Sequence, residues 1–86
     1  MDRYKVFIAE EVVDLVSSLK GRQKATLKGF ISGLATNPFE SGDFPERDRT
    51  GRPTQCKVIG NYALSFYSDH AAKEVMVFEI NRADRL

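Results

Sequence analysis

Four cations fall within eleven residues, Arg47, Arg49, Arg52 and Lys57, and Arg82 and Arg85 follow near the C-terminus. Side chains gathered in this way bind phosphate oxygens or partner carboxylates, and arginine does so with two parallel hydrogen bonds. Glu46, Asp48 and Asp84 are interspersed and weaken the local field. The formal net charge is only +1, without the broad basic excess of a protein that lives on non-specific phosphate contact. Any phosphate site must therefore be local. Lys57 stands in mid-strand between apolar residues, and Tyr67 offers a ring for base stacking or a hydroxyl for proton transfer. His70 is the one histidine; it lies in a polar turn from Ser68 to Lys73, where a solvated surface position is expected. Cys56 is the one cysteine, so it cannot close an internal disulfide, and a core position in a reducing cytoplasm is expected. With no second thiol, histidine cluster, glycine-rich nucleotide loop or serine–histidine pairing, neither a metal nor a small-molecule cofactor is expected.

The elements that must position these residues are legible from periodicity. Eighty-six residues, 42% hydrophobic and 29% charged, make a single ordinary globular domain spanning 1–86. Nothing at the N-terminus resembles a signal peptide, and no apolar run is long enough to span a membrane. Tyr4 to Ala9 alternates and reads as an opening strand. Glu10 and Glu11 begin a helix where the dipole favours acids, and Val12, Leu15, Val16 and Leu19 form its apolar stripe. Lys20-Gly21 closes that helix. A second helix runs from about Arg22 to Ala35 and buries Leu27, Phe30, Ile31 and Leu34. Gly29 and Gly33 within it are expected to allow close packing. Asn37-Pro38 ends the helix, and Pro38 to Pro53 reads as a long functional loop in which alternating charges order the chain and meet a partner.

Thr54 to Ile80 then reads as three strands, the first two joined by a tight turn at Gly60-Asn61. In the second of these, Tyr62, Leu64 and Phe66 share the core face, and Ala63, Ser65 and Tyr67 share the other. Placing Cys56 and Val58 in the core turns Lys57 to the open face with Gln55. The expected fold is α+β: β-α-α-β-β-β, with a helical hairpin packed on one face of a curved, mostly antiparallel, four-stranded sheet.

This order, together with several local phrases, resembles the RelE/ParE superfamily of bacterial type II toxins. Leu34-Ala35-Thr36-Asn37-Pro38 is similar to the family's Asn-Pro helix end. Lys57 through Gly60-Asn61-Tyr62-Ala63 to Tyr67 resembles its central hairpin, and Val75 to Ile80 followed by Arg82 resembles its last strand and the basic residue behind it. The resemblance covers nearly the whole chain. It implies a cytoplasmic toxin with a cognate antitoxin as partner, acting as a metal-independent endoribonuclease on ribosome-bound mRNA. The alternative is a non-catalytic protein, either a ParE-like poison of DNA gyrase or a degenerate relative that binds only its antitoxin. By the same resemblance Lys57 occupies the place of a catalytic lysine and Arg82 that of a phosphate-binding arginine. Arg47, Arg49, Arg52, Tyr67 and Arg85 are then candidates for RNA or partner contact. Ala63 stands where the family has an arginine, and the chain ends at Leu86 without the family's terminal tyrosine or histidine base. The catalytic set is to that extent incomplete.

Overall fold

The computed structural model describes residues 3–83. The chain runs through β1 (Lys5–Ile8), α1 (Glu10–Ser18), α2 (Gly21–Gly33), β2 (Phe44–Arg47), β3 (Pro53–Ile59), β4 (Tyr62–Asp69) and β5 (Glu74–Arg82). The strands form one sheet in the order β1-β5-β4-β3-β2. Only β1 lies parallel to its neighbour; the other pairings are antiparallel. The α+β class and the helical hairpin agree with expectation, but the sheet has five strands rather than four. The added strand, β2, lies inside the stretch read as loop.

Each helix forms for a readable reason. Glu10 and Glu11 occupy the first turn of α1, and Val12 and Val16 bury its inner face. Gly21 does not end α1; it opens α2 with φ +66, a conformation that favours glycine, so the connection between the helices is very short. Leu27 and Ile31 from α2, with Leu34 at its C-cap, join Val12 and Val16 over Ile59, Leu64, Phe66, Val75 and Val77 of the sheet, and this cluster is the core. Phe30 completes it with an edge-to-face contact on Phe66, the ring centroids 5.6 Å apart. Gly29 and Gly33 pack against nothing: a Cβ at either would meet open space.

Two backbone details decide what faces where. The Gly60-Asn61 turn is a two-residue hairpin in which Gly60 alone takes a positive φ, +60, placing Ile59 opposite Tyr62. Between β4 and β5, Ser65 pairs with Glu79 but Phe66 pairs with Val77, which leaves Phe78 as the extra residue of a β-bulge. The bulge lets Val77 and Ile80 both reach the core face while Phe78 and Glu79 turn to the other.

Candidate functional site: the uncovered sheet face

Residues directly opposite each other in a sheet share a face. Counting out from the turn, Lys57 stands opposite Leu64 and Gln55 opposite Phe66, whereas Cys56 faces Ser65 and Val58 faces Ala63. The expected parity of β3 is therefore reversed. Lys57 and Gln55 lie on the helix-covered side, and Cys56 and Val58 on the uncovered one. Lys57 escapes burial because β2 has already ended at that level of the sheet. Its stem runs along the margin of the core, and its ammonium meets the Asp43 carboxylate at 3.5 Å. The other Asp43 oxygen accepts the Val58 N–H at 2.7 Å. Gln23 donates to the Ile59 carbonyl at 3.2 Å. Asp43 and Gln23 thus occupy the stretch of β3 edge that β2 leaves uncovered, closing it to another strand.

Arg82 stands opposite Tyr62, with its guanidinium 5.7 Å from that ring, and so also belongs to the helix side. From the strand spacing, Lys57 and Arg82 are about 12 Å apart at Cα. They share a face, but it is not the open one. Arg85 lies outside the described residues.

The arginines of the former loop are organised differently. Asp48 holds the five-residue tip of the β2–β3 hairpin: its carboxylate accepts the Thr50 N–H at 2.9 Å, the Thr50 hydroxyl at 2.7 Å and the Arg52 N–H at 3.0 Å. The Thr50 hydroxyl, ahead of the backbone bonds and the Arg52 charge, holds this carboxyl below its ordinary range. Order in the loop thus comes from one carboxylate bonded to backbone rather than from a lattice of ion pairs. Arg47 donates to the Gly51 carbonyl at 2.6 Å. Arg52 lies over Tyr67, 4.5 Å from the ring centre, so these two candidates do meet, on the uncovered side.

What sequence reading missed is a cleft of about 480 Å³ across that side. Thr54 and Ser65, both nearly fully buried, form its floor. Glu46 and the hairpin tip make one wall, Phe78 and Glu79 the other, and Glu11 at the start of α1 closes an end. The buried Cys56 pairs with Ser65 beside it. Burial first, then the charges of Glu46 and Asp43, push the Cys56 thiol above its ordinary value of 9.0. The thiol therefore sits in a negative local field, while Arg47 and Arg49 of the hairpin join Glu11, Glu46, Asp48 and Glu79 in lining the cleft. His70, expected to be merely solvated, is exposed but engaged. Its ring stacks on Phe39 at 4.3 Å, and its Nδ1 lies 2.9 Å from the Tyr4 hydroxyl. Neither feature announces itself in sequence, because one depends on the bulge and the other joins residues from three distant segments.

Among the described residues no group of histidine, cysteine or acidic side chains is arranged to hold a metal ion. No helix is long and apolar enough to cross a membrane. No protein-family model matches the sequence, and no curated protein matches it. Solved structures do match in shape. A chain of the archaeal RelE–RelB complex from Pyrococcus horikoshii OT3 aligns with TM-score 0.79 and 18% identity, over 98% of this chain and 99% of that one. A chain of the RelBE2 toxin–antitoxin complex from Mycobacterium tuberculosis aligns with TM-score 0.71 and 22% identity, over 93% and 98%. End to end, this chain has the fold of the RelE-type toxins.

Proposed function

We propose that this protein is the toxin-fold member of a type II toxin–antitoxin pair, working in the cytoplasm by binding, with a cognate antitoxin as its protein partner. The fold match carries this reading: it runs the whole length of the chain, and both neighbours come from toxin–antitoxin complexes. Binding is favoured over mRNA cleavage by the charge of the open face. Phosphoryl chemistry without a metal needs positioned cations at the scissile phosphate, and in the cleft of this face Arg47 and Arg49 are outnumbered by Glu11, Glu46, Asp48 and Glu79. Ala63, at 4% exposure, supplies no charge there. Catalytic roles for Lys57 and Arg82 rest on the resemblance alone.

A second reading, RNA contact through the rim, is favoured by Arg47, Arg49 and Arg52 standing on one ordered hairpin. Induction of the protein alone in a bacterium, with growth scored and message ends and chromosomal breaks mapped, tests both. Growth arrest with intact messages, relieved by co-expressing an antitoxin, is the expected result, and DNA breaks would specify gyrase as the target. Messages cut on ribosomes, with cutting abolished by Lys57→Ala, would replace this reading with the ribonuclease one.

A further inference from the structure

The two margins of the sheet are finished differently. β2 carries Pro45 and the charged Glu46 and Arg47, and the length of β3 beyond it is closed by Asp43 and Gln23. β1, Lys5-Val6-Phe7-Ile8, has no proline and a single charge. The Lys5 and Ala9 amides donate to the Lys73 and Val77 carbonyls. With the parallel register of β1 on β5, the backbone groups of Lys5, Phe7 and Ala9 therefore point to β5, and those of Val6 and Ile8 point outward. Among the described residues no partner meets these two N–H and two C=O groups. Such a margin is a template for another strand.

We infer that β1 pairs antiparallel with β1 of a second copy of this chain, across a two-fold axis at Phe7. Outward groups can meet outward groups with the axis at Val6, Phe7 or Ile8. An axis at Val6 sets Ile8 opposite the partner's Tyr4, whose amide is already bonded to the Ala35 carbonyl at 2.8 Å. An axis at Ile8 sets Val6 opposite the partner's Glu10, which belongs to α1. An axis at Phe7 sets Val6 opposite the partner's Ile8 and Ile8 opposite the partner's Val6, and four hydrogen bonds then use every outward group. Val6 packs on the core side, so Phe7 faces its own copy on the side away from the helices, with about 4.5 Å between Cα atoms. In the single chain Phe7 is 43% exposed. Ile8 and Val13, also exposed, line one groove on the helix side and add apolar surface there. The charges agree with this pairing. Arg3 and Lys5 open the strand and Glu10 and Glu11 follow it, so the basic start of each copy lies beside the acidic end of the other. Strands this short make a small contact, and the dimer is weak and concentration-dependent. Nothing in this pairing depends on the toxin reading.

Sedimentation velocity of the full chain over a wide range of concentration tests this. The wild-type protein is expected to pass from monomer to dimer as concentration rises. Phe7→Lys sets two ammonium groups opposite each other and should raise the dissociation constant about tenfold or more, with the circular dichroism unchanged. The variants R3E/K5E and E10K/E11K should each weaken self-association, and mixing them should restore it as a heterodimer. Phe7→Cys should cross-link into a disulfide dimer under mild oxidation, because about 4.5 Å between Cα atoms lies within disulfide reach. Lys5→Cys, displaced along the strand from its own copy, should not. The wild-type chain, with Cys56 buried, is the control. A protein monomeric at every concentration, a dimer indifferent to Phe7→Lys, or equal cross-linking at both positions would overturn the inference. So would a monomeric wild type that loses antitoxin capture in Phe7→Lys, since the margin would then belong to a strand of the antitoxin.

Discussion

Leu64 and Ser65 are neighbours on β4 and are almost equally inaccessible to water, but for different reasons. Leu64 lies beneath both helices, in a continuous cluster of aliphatic side chains. Ser65 has no helix above it and is sheltered by the longer side chains around the cleft. One face of the sheet is dry and packed, so its residues answer to volume. The other is concave and polar, so its residues answer to hydrogen bonding and charge. Leu64→Ala should therefore cost about 2–5 kcal/mol, the range for a buried leucine truncated beside packing that cannot collapse. Ser65→Ala, one residue away, should cost no more than about 1 kcal/mol. Urea unfolding midpoints of the two variants would break the contrast if the order were reversed or the costs equal.

That contrast was only half visible in the sequence. The helices and the β4 core face could be read because Val12, Val16, Leu27, Ile31, Leu64 and Phe66 recur at the period of their elements. In β3 hydropathy points to the wrong parity, Cys56 and Val58 being apolar and Gln55 and Lys57 polar. A two-residue turn is the stronger constraint. Once Ile59 stands opposite Tyr62, Lys57 must stand opposite Leu64 whatever their polarity. The chain contained that information in Gly60-Asn61. β2 was hidden by Pro45 and by its four exposed residues, which show no alternation between a buried and an open side. The bulge at Phe78 has no local signature, and so Glu79 could not be placed on the cleft wall in advance.

Two glycines separate the faces by a second criterion. Gly42 lies against the β3 backbone, where an added Cβ would stand 2.5 Å from the Cys56 carbonyl oxygen. Backbone cannot yield as a side chain would. Gly42→Ala should cost roughly 1–3 kcal/mol by forcing the segment away from the sheet. It should also speed hydrogen exchange at the Val58 amide, which Asp43 holds. Gly29, on the exposed side of α2, has nothing within 4 Å of that position. Gly29→Ala should instead stabilise, by up to about 1 kcal/mol from helix propensity. Thermal melts of the pair should shift in opposite directions; a shared direction would mean that the backbone contact at Gly42 is not rigid.

Lys57 sharpens the comparison from the edge. Lys57 is half-buried and its partner Asp43 exposed, so the pair contributes at most about 1 kcal/mol, less in high salt. Lys57→Ala should leave stability nearly unchanged, and growth arrest by the induced protein should persist. Loss of arrest in a variant with an unchanged melting curve would return Lys57 to the functional face.

The smallest effects are those of pH, and they report the field on each side of the hairpin. Asp48 is held below 3.8 by its bonds to Thr50 and Arg52. A depressed carboxyl contributes order above its unfolded value and loses it as the pH falls through the folded one. Acid should therefore release the Thr50 and Arg52 amides to exchange before the core opens. Cys56 has the opposite sign. Its thiol is raised above 9.0 by burial and then by Glu46 and Asp43, so the neutral form is favoured in the folded state. Its contribution is complete below pH 9.0 and declines as the pH rises above it. Alkylation of Cys56 by iodoacetamide should be slow at pH 8 and faster in Glu46→Gln, where one source of negative potential is gone. If Glu46→Gln left that rate unchanged, the floor of the cleft would not feel its wall.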